Sequence, residues 1–143
     1  MKLKWLGTAG FLITSHDQNI LIDPYVARNK KARPEQPLQP SDITDVNAIF
    51  ISHGHFDHIF DVPAIASQHG TGVYCGSGIC ETLVQKGLKR DQIIEVSEDG
   101  ETFDLEGIHA QAFLSQHIKF DLLLLIQSLA RINFRLPYYL RII

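Results

Sequence analysis

Three histidines and an aspartate lie within six positions of the sequence, in the segment "HGHFDH" (residues 53–58). The chain has seven histidines in all, so nearly half of them stand in this one place. Neither core packing nor solvation requires such a concentration. Imidazole and carboxylate groups are, however, the usual ligands of a borderline divalent cation such as zinc. The pattern therefore indicates a metal site.

The spacing inside this segment suits two neighbouring ions. His53 and His55 are two residues apart in extended backbone that leaves a strand, so both imidazoles point to the same side. Gly54 between them allows the backbone to bend and approach closely. Asp57 and His58 follow where the chain turns towards a helix, so they can face a second point nearby. Hydrolytic two-metal sites hold their ions about 3.5–4 Å apart, and the segment predicts that arrangement.

The strand before the segment must position these side chains. The apolar run "AIFIS" (residues 48–52) predicts a buried strand, and the histidines begin at its carboxyl end, where α/β sheets hold their sites. Upstream, "KLKWLG", "GFLITS" and "NILID" predict an antiparallel meander, its last two strands joined by a polar turn over residues 16–19. Residues 24–40 predict a surface loop that shapes the site. Ser41 is expected to cap a short helix over residues 41–46.

Two helices and four further strands are predicted downstream. Residues 61–70 form the first helix, with Asp61 as its N-cap and Gly70 as its C-cap, and "ICETLVQKG" (residues 79–87) forms the second. "GVYC" is a strand between them, and "QIIEV", "ETFDL" and "IHAQAFL" follow as a β-meander. This order predicts an α/β (α+β) protein with a mixed β-sheet and helices on one face.

Composition narrows the class of protein and partner. A length of 143 residues fits one domain, and 45% apolar with 20% charged residues is typical of a soluble globular protein. The net charge of −3 provides no basic excess for nucleic acid. Cys75 and Cys80 are the only cysteines, and without a secretory signal they are expected to be reduced thiols in the cytoplasm. The expected partner is a small-molecule substrate.

"HGHFDH" resembles the signature of the metallo-β-lactamase superfamily of metal-dependent hydrolases. The opening "WLGTAGFLI" followed by "ILIDP" is similar to the start of its sugar-lactonase-like and related uncharacterised members. The resemblance covers residues 1–121 and implies an αββα sandwich made of two similar halves. By this resemblance, His53 and His55 bind a first metal, and Asp57 and His58 bind a second. His117, after a later strand, is the third ligand of the first metal.

The resemblance also implies an outer role for Asp23 in "LIDP", which would orient a ligand histidine. It implies one or two divalent ions, zinc before manganese or iron, because mixed His/Asp sites accept all three according to supply. Metal-activated water would then attack a small ester, lactone or phosphoester, and the carboxylate of Asp57, the catalytic residue, would hold this water.

The chain departs from the family after His117. The family draws a bridging acid and a final histidine from its second half, whereas this chain has no later histidine and only one later acid, Asp121, for which a supporting role is expected. The sequence therefore looks like an N-terminal half over residues 1–121 with an apolar, basic helical tail over residues 122–143. The tail could pack on the exposed sheet, pair with a second copy, or lie on a membrane surface; the first two are favoured. A second functional hypothesis follows: a catalytically impaired metal-binding remnant that forms a homo-oligomer over the missing half.

Overall fold

The computed structural model describes residues 1–27, 31, 35 and 37–115. Along them lie eight strands: β1 Lys2–Gly7, β2 Gly10–Ser15, β3 Gln18–Ile22, β4 Ala48–Ile51, β5 Gly72–Gly76, β6 Ile93–Val96, β7 Thr102–Leu105 and β8 Ile108–Gln111. The α-helices are α1 Phe56–Ile59, α2 Val62–His69 and α3 Ser77–Gln85, and the two short 3-10 helices are Pro40–Asp42 and Arg90–Gln92. The predicted metal ligand His117 and the predicted tail over residues 122–143 lie outside the described residues.

Six strands form one sheet in the order β1-β2-β3-β4-β5-β6, and the sheet is mixed, as the sequence predicts. The pairs from β1 to β3 are antiparallel, and those from β3 to β6 are parallel. His16 and Asp17 form the β2–β3 turn with φ values of 48° and 61°, the left-handed conformation that two-residue hairpin turns favour. The predicted turn is therefore confirmed in place but is shorter than residues 16–19, because Gln18 and Asn19 already pair with β2.

The last two strands stand apart from the main sheet. β7 and β8 pair with each other as a separate antiparallel hairpin, so the predicted meander that joins them to β6 is wrong. Instead of continuing the sheet, the hairpin places Phe103 against Phe50 and Tyr74, with ring centroids 6.5 and 4.9 Å away. β8 ends at Gln111, three residues before the end of the predicted strand. The hairpin covers part of the sheet face that carries Phe50 and Tyr74.

The core lies between the main sheet and the helices. Alternate strand residues face the helices, because side chains along a strand point to opposite faces in turn. Apolar side chains of the helices pack against them. Each such side chain contributes about 1.5–3 kcal/mol when fully buried. Those with no exposed surface include Leu21, Ile49, Val62, Ile65, Val73 and Leu83. The core therefore fixes β3, β4 and β5 side by side, and with them the strand ends where the predicted ligands lie.

Helix ends agree with the sequence in part. α2 ends at Gly70, whose φ of 64° gives the left-handed cap that was expected. α3 begins at Ser77, two residues before the predicted start. The predicted helix over residues 41–46 is wrong. Only a 3-10 turn forms there, with Gln39 rather than Ser41 as its N-cap, because the Asp42 carboxylate accepts the backbone N–H of Gln39 and closes the turn. No helix in the described part of the chain is long and apolar enough to cross a membrane.

Candidate metal centre

The predicted ligands follow the carboxyl end of β4. This strand lies between the parallel strands β3 and β5, and its backbone leaves the sheet after Ile51. His55, with φ −69° and ψ 151°, is still extended and serves as the N-cap of α1. Asp57 and His58 then stand on this short helix, an element that the sequence analysis did not foresee. His53 and His55 therefore lie in the extended segment after β4, and Asp57 and His58 lie in the helix that follows.

The structure brings the four described ligands of the motif together. His53 Nε2 lies 3.1 Å from His55 Nδ1. The ring of His53 also packs against that of His58, with centroids 3.8 Å apart. His58 Nε2 lies 3.9 Å from an oxygen of Asp57. Within residues 1–27, 31, 35 and 37–115, no three His, Cys, Asp or Glu side chains are arranged to hold a metal ion by themselves. The full five-residue ligand set, which includes His117, stays a prediction.

The His53–His55 pair fits a divalent cation. Two nitrogens that each lie 2.0–2.1 Å from one tetrahedral zinc ion are about 3.3 Å apart. The observed separation of 3.1 Å is close to this value. The same spacing lets the two rings share a proton when one carries N–H and the other does not. Nitrogen donors at this distance, with a carboxylate and a third imidazole beside them, match the ligand chemistry of zinc, iron or manganese.

Asp23 lies beside both Ser52 and His58. It follows β3, is only 4% exposed and has a φ of 45°, a left-handed value that Asp adopts more readily than most residues. Its carboxylate accepts the backbone N–H of Ser52 at 2.8 Å and the Ser52 hydroxyl at 2.6 Å. His58 Nδ1 lies 3.0 Å from the same carboxylate but off the line of a well-formed hydrogen bond, and it has no other partner in the described part of the chain. With Nδ1 beside this carboxylate, Nε2 of the same ring lies 3.9 Å from an oxygen of Asp57.

Ser52 is a site residue that the sequence analysis missed. Its hydroxyl lies 3.0 Å from His53 Nδ1 as well as 2.6 Å from Asp23. The two histidines of different ligand pairs, His53 and His58, are thus connected through one serine and one aspartate. The signal was available in the sequence, since Ser52 stands directly before the first histidine and Asp23 ends the neighbouring strand. What the sequence lacked was the parallel register that places them side by side.

Asp61 fixes an aromatic group beside the site. Its carboxylate is 2% exposed and accepts the backbone N–H groups of residues 26–27 at 2.6 and 2.8 Å. Burial raises the pKa of Asp61, and these two N–H donors oppose that rise. Asp61 is the N-cap residue of α2, as predicted, but its side chain makes no cap hydrogen bond to the helix. Tyr25, which directly precedes residues 26–27, lies edge-on to Phe56 and Phe60, at centroid distances of 5.9 and 6.2 Å.

Comparison with known sequences identifies the group to which this architecture belongs. The sequence profile of the Beta-lactamase superfamily domain matches residues 18–122. The chain belongs to the metallo-β-lactamase superfamily. Among curated members it is 37% identical over 101 residues to a UPF0173 metal-dependent hydrolase of Koribacter versatilis, an alignment that covers 70% of this chain and 41% of that protein. The chain spans less than half of the length of the curated relatives to which it is similar.

Solved structures of the superfamily share the fold. Igni18, a metallo hydrolase from Ignicoccus hospitalis, aligns with a TM-score of 0.61 at 24% identity, covering 83% of this chain and 50% of that one. The metallo-β-lactamase SMB-1 aligns with a TM-score of 0.55 at 23% identity, covering 78% of this chain and 49% of that one. At these identities the likeness establishes the fold alone. It confirms the mixed α/β architecture predicted from the sequence.

The core contains two cysteines. Cys75 on β5 and Cys80 on α3 are buried free thiols with their sulfurs 3.8 Å apart. Burial, together with Cys80 and Glu95, raises the pKa of Cys75 from 9.0 to about 12. Since the fold favours the protonated thiol, its contribution to stability is present below pH 9 and is lost as the pH rises towards 12.

We expect Cys75 to resist alkylation in the folded protein. At pH 8 a thiol of pKa 12 is thiolate about one part in 10,000, against about one part in ten at pKa 9. Iodoacetamide should therefore modify Cys75 at least about 1,000-fold more slowly in native protein than in urea, as followed by mass spectrometry of the peptide. Equal rates in the two conditions would contradict the burial of this side chain.

Proposed function

We propose that this chain binds one or two divalent metal ions and acts in metal-assisted hydrolysis. His53 and His55 would hold the first ion, with His117 as their third partner, and Asp57 and His58 would address the second. Zinc is the first choice, and manganese and iron are alternatives. The observation that carries the proposal is the 3.1 Å separation of two ring nitrogens in the superfamily motif. The name of the Koribacter versatilis relative, a metal-dependent hydrolase, supports it.

The chemistry divides between the ion and the protein. When bound, the ion polarises the substrate oxygen and lowers the pKa of water near it, which makes a nucleophile available near neutral pH. Asp57, whose side chain is 31% exposed, accepts a hydrogen bond from the attacking water and holds it on the metal side. Asp23 and Ser52 keep the rings of His58 and His53 oriented, which limits the freedom that each ring loses on binding. The proposed substrate is a small ester, lactone or phosphoester.

A second proposal is that the chain binds metal but turns over weakly, and associates with a second copy. It is supported by the described residues, among which no three His, Cys, Asp or Glu side chains are arranged to hold a metal ion by themselves. Light scattering after size exclusion measures whether the chain associates, and the hydrolysis assay measures turnover; together they distinguish the two proposals. A dimer without turnover supports the second proposal, whereas an active monomer excludes it.

Hydrolysis tests the first proposal directly. Chelator-treated protein is reloaded with zinc, manganese or iron(II) and assayed on γ-butyrolactone and on bis(4-nitrophenyl) phosphate. We expect activity to return with at least one metal and to fall about 100-fold or more in His55→Ala. His109→Ala is the matched control, because His109 pairs with Asp104 on an exposed hairpin away from the motif. Activity that is equal in His55→Ala and wild type would refute the motif as the site of hydrolysis.

A further inference from the structure

A cavity of about 560 Å³ opens beside His53 at the carboxyl ends of β4, β5 and β6. This volume lies within the range of about 300–1,000 Å³ typical of small-molecule sites. His53 and Ser52 form part of the wall, so the cavity is continuous with the candidate metal centre. Whatever occupies it would lie directly against the reacting groups.

The floor of the cavity is aromatic. Phe50 and Tyr74 stack with centroids 4.5 Å apart and ring planes within 16° of parallel. Phe103 closes the far side of Tyr74 edge-on. At the mouth, Phe113 and Leu114 are 69% and 63% exposed, an unusual exposure for side chains of this size. Flat apolar surfaces of this kind bind alkyl or aryl groups through burial of apolar area.

The described wall of the cavity carries no charged side chain. None of its described lining residues is Lys, Arg, Asp or Glu. The polar side chains are those of His53, Tyr74 and four serines, Ser52, Ser77, Ser97 and Ser115. Burial raises the pKa of the Tyr74 hydroxyl, so it stays neutral well above pH 7. An anionic group placed here would lose water without gaining a cationic partner, which costs free energy.

We propose that this cavity selects a neutral ester or lactone with an apolar acyl chain, which lies on Phe50 and Tyr74 while its carbonyl faces the metal centre. The proposal rests on the proposed hydrolytic function and narrows its substrate class. It disfavours substrates with a charged group on the part that enters the cavity, because that charge finds no partner in the described wall. Each methylene that enters the cavity should raise kcat/KM by up to about fourfold.

Gly76 provides a way to close the cavity without disturbing the fold. It lies two residues after Tyr74 on β5, so a side chain there projects from the same face as Tyr74. Its φ of −64° and ψ of 153° suit any residue, and a Cβ would meet no atom within 4 Å. Gly76→Leu should therefore fill the space with a branched side chain. Ala64→Leu, on the exposed face of α2, is the matched control for added bulk.

Two readouts test the proposal. The first is kcat/KM for 4-nitrophenyl acetate, butyrate and hexanoate, which should rise at least tenfold along the series in wild type and in Ala64→Leu, and stay flat in Gly76→Leu. The second is calorimetric binding of 2-decanone, a neutral ketone that cannot be hydrolysed, which should weaken at least tenfold in Gly76→Leu with zinc binding unchanged. If no ester is hydrolysed, the hydrolytic proposal fails, yet ketone binding still decides the role of the cavity. A flat series in wild type, or ketone binding that Gly76→Leu leaves intact, would overturn the assignment.

Discussion

Replacing His53 by alanine should lower the zinc affinity of the protein by more than about 100-fold. The change removes one of two ring nitrogens that lie 3.1 Å apart and leaves His55 without its neighbouring donor. Loss of an outer partner alone typically lowers metal affinity 10–100-fold, so loss of a direct ligand should exceed that range. Competition titration against a chromophoric chelator measures the affinity, and elemental analysis measures the zinc that remains bound.

The control for this result is His109→Ala, which removes an exposed imidazole of the β7–β8 hairpin. It should bind zinc as the wild type does. If both variants lost zinc equally, the metal would be held by scattered surface histidines. If neither lost it, the motif would not be the binding site.

Replacing Asp23 by alanine should affect stability and metal binding together. The carboxylate is buried and receives two hydrogen bonds from Ser52, while His58 Nδ1 lies 3.0 Å away. Without it, the backbone N–H and the hydroxyl of Ser52 lose hydrogen bonds to a charged acceptor, a kind of bond that contributes about 1.5–3 kcal/mol, and His58 Nδ1 loses the negative charge beside it. We expect a loss of about 2–4 kcal/mol in the free energy of unfolding, measured by urea denaturation, and a 10–100-fold loss of zinc affinity.

Asp23→Asn separates the two effects. Asn tolerates the left-handed φ of 45° and still offers an oxygen to the backbone N–H of Ser52, so most of the stability should remain. It lacks the negative charge that faces His58, so zinc affinity should still fall. An Asn variant that binds zinc as tightly as wild type would show that Asp23 serves the fold and does not position the ligand ring.

Local pattern was enough to predict most of the main sheet. The alternation in "KLKWLG" and the apolar run "AIFIS" predict strands that the structure contains as β1 and β4. The position of the histidine motif at a strand end followed from the same reasoning. The β7–β8 hairpin was placed wrongly, because its alternation is that of any strand and does not tell which sheet the strand joins.

Side-chain roles were harder to predict than elements. Asp61 has the right type and position for an N-cap, yet its carboxylate binds the backbone of residues 26–27 across a long loop. Ser52 was overlooked because its place in the site depends on its hydrogen bonds to Asp23. Asp23 is 29 residues away in sequence and is adjacent only through the parallel pairing of β3 and β4. Contacts made by tertiary register are invisible to a pattern read along one chain.

A crystal of the protein grown with zinc, with data collected on both sides of the zinc absorption edge, tests the account most directly. The account predicts an anomalous peak at about 2.0–2.1 Å from both His53 Nε2 and His55 Nδ1. A peak bound instead by the buried cysteine pair or by the Asp104–His109 pair, with the motif rings turned away from each other, would contradict it.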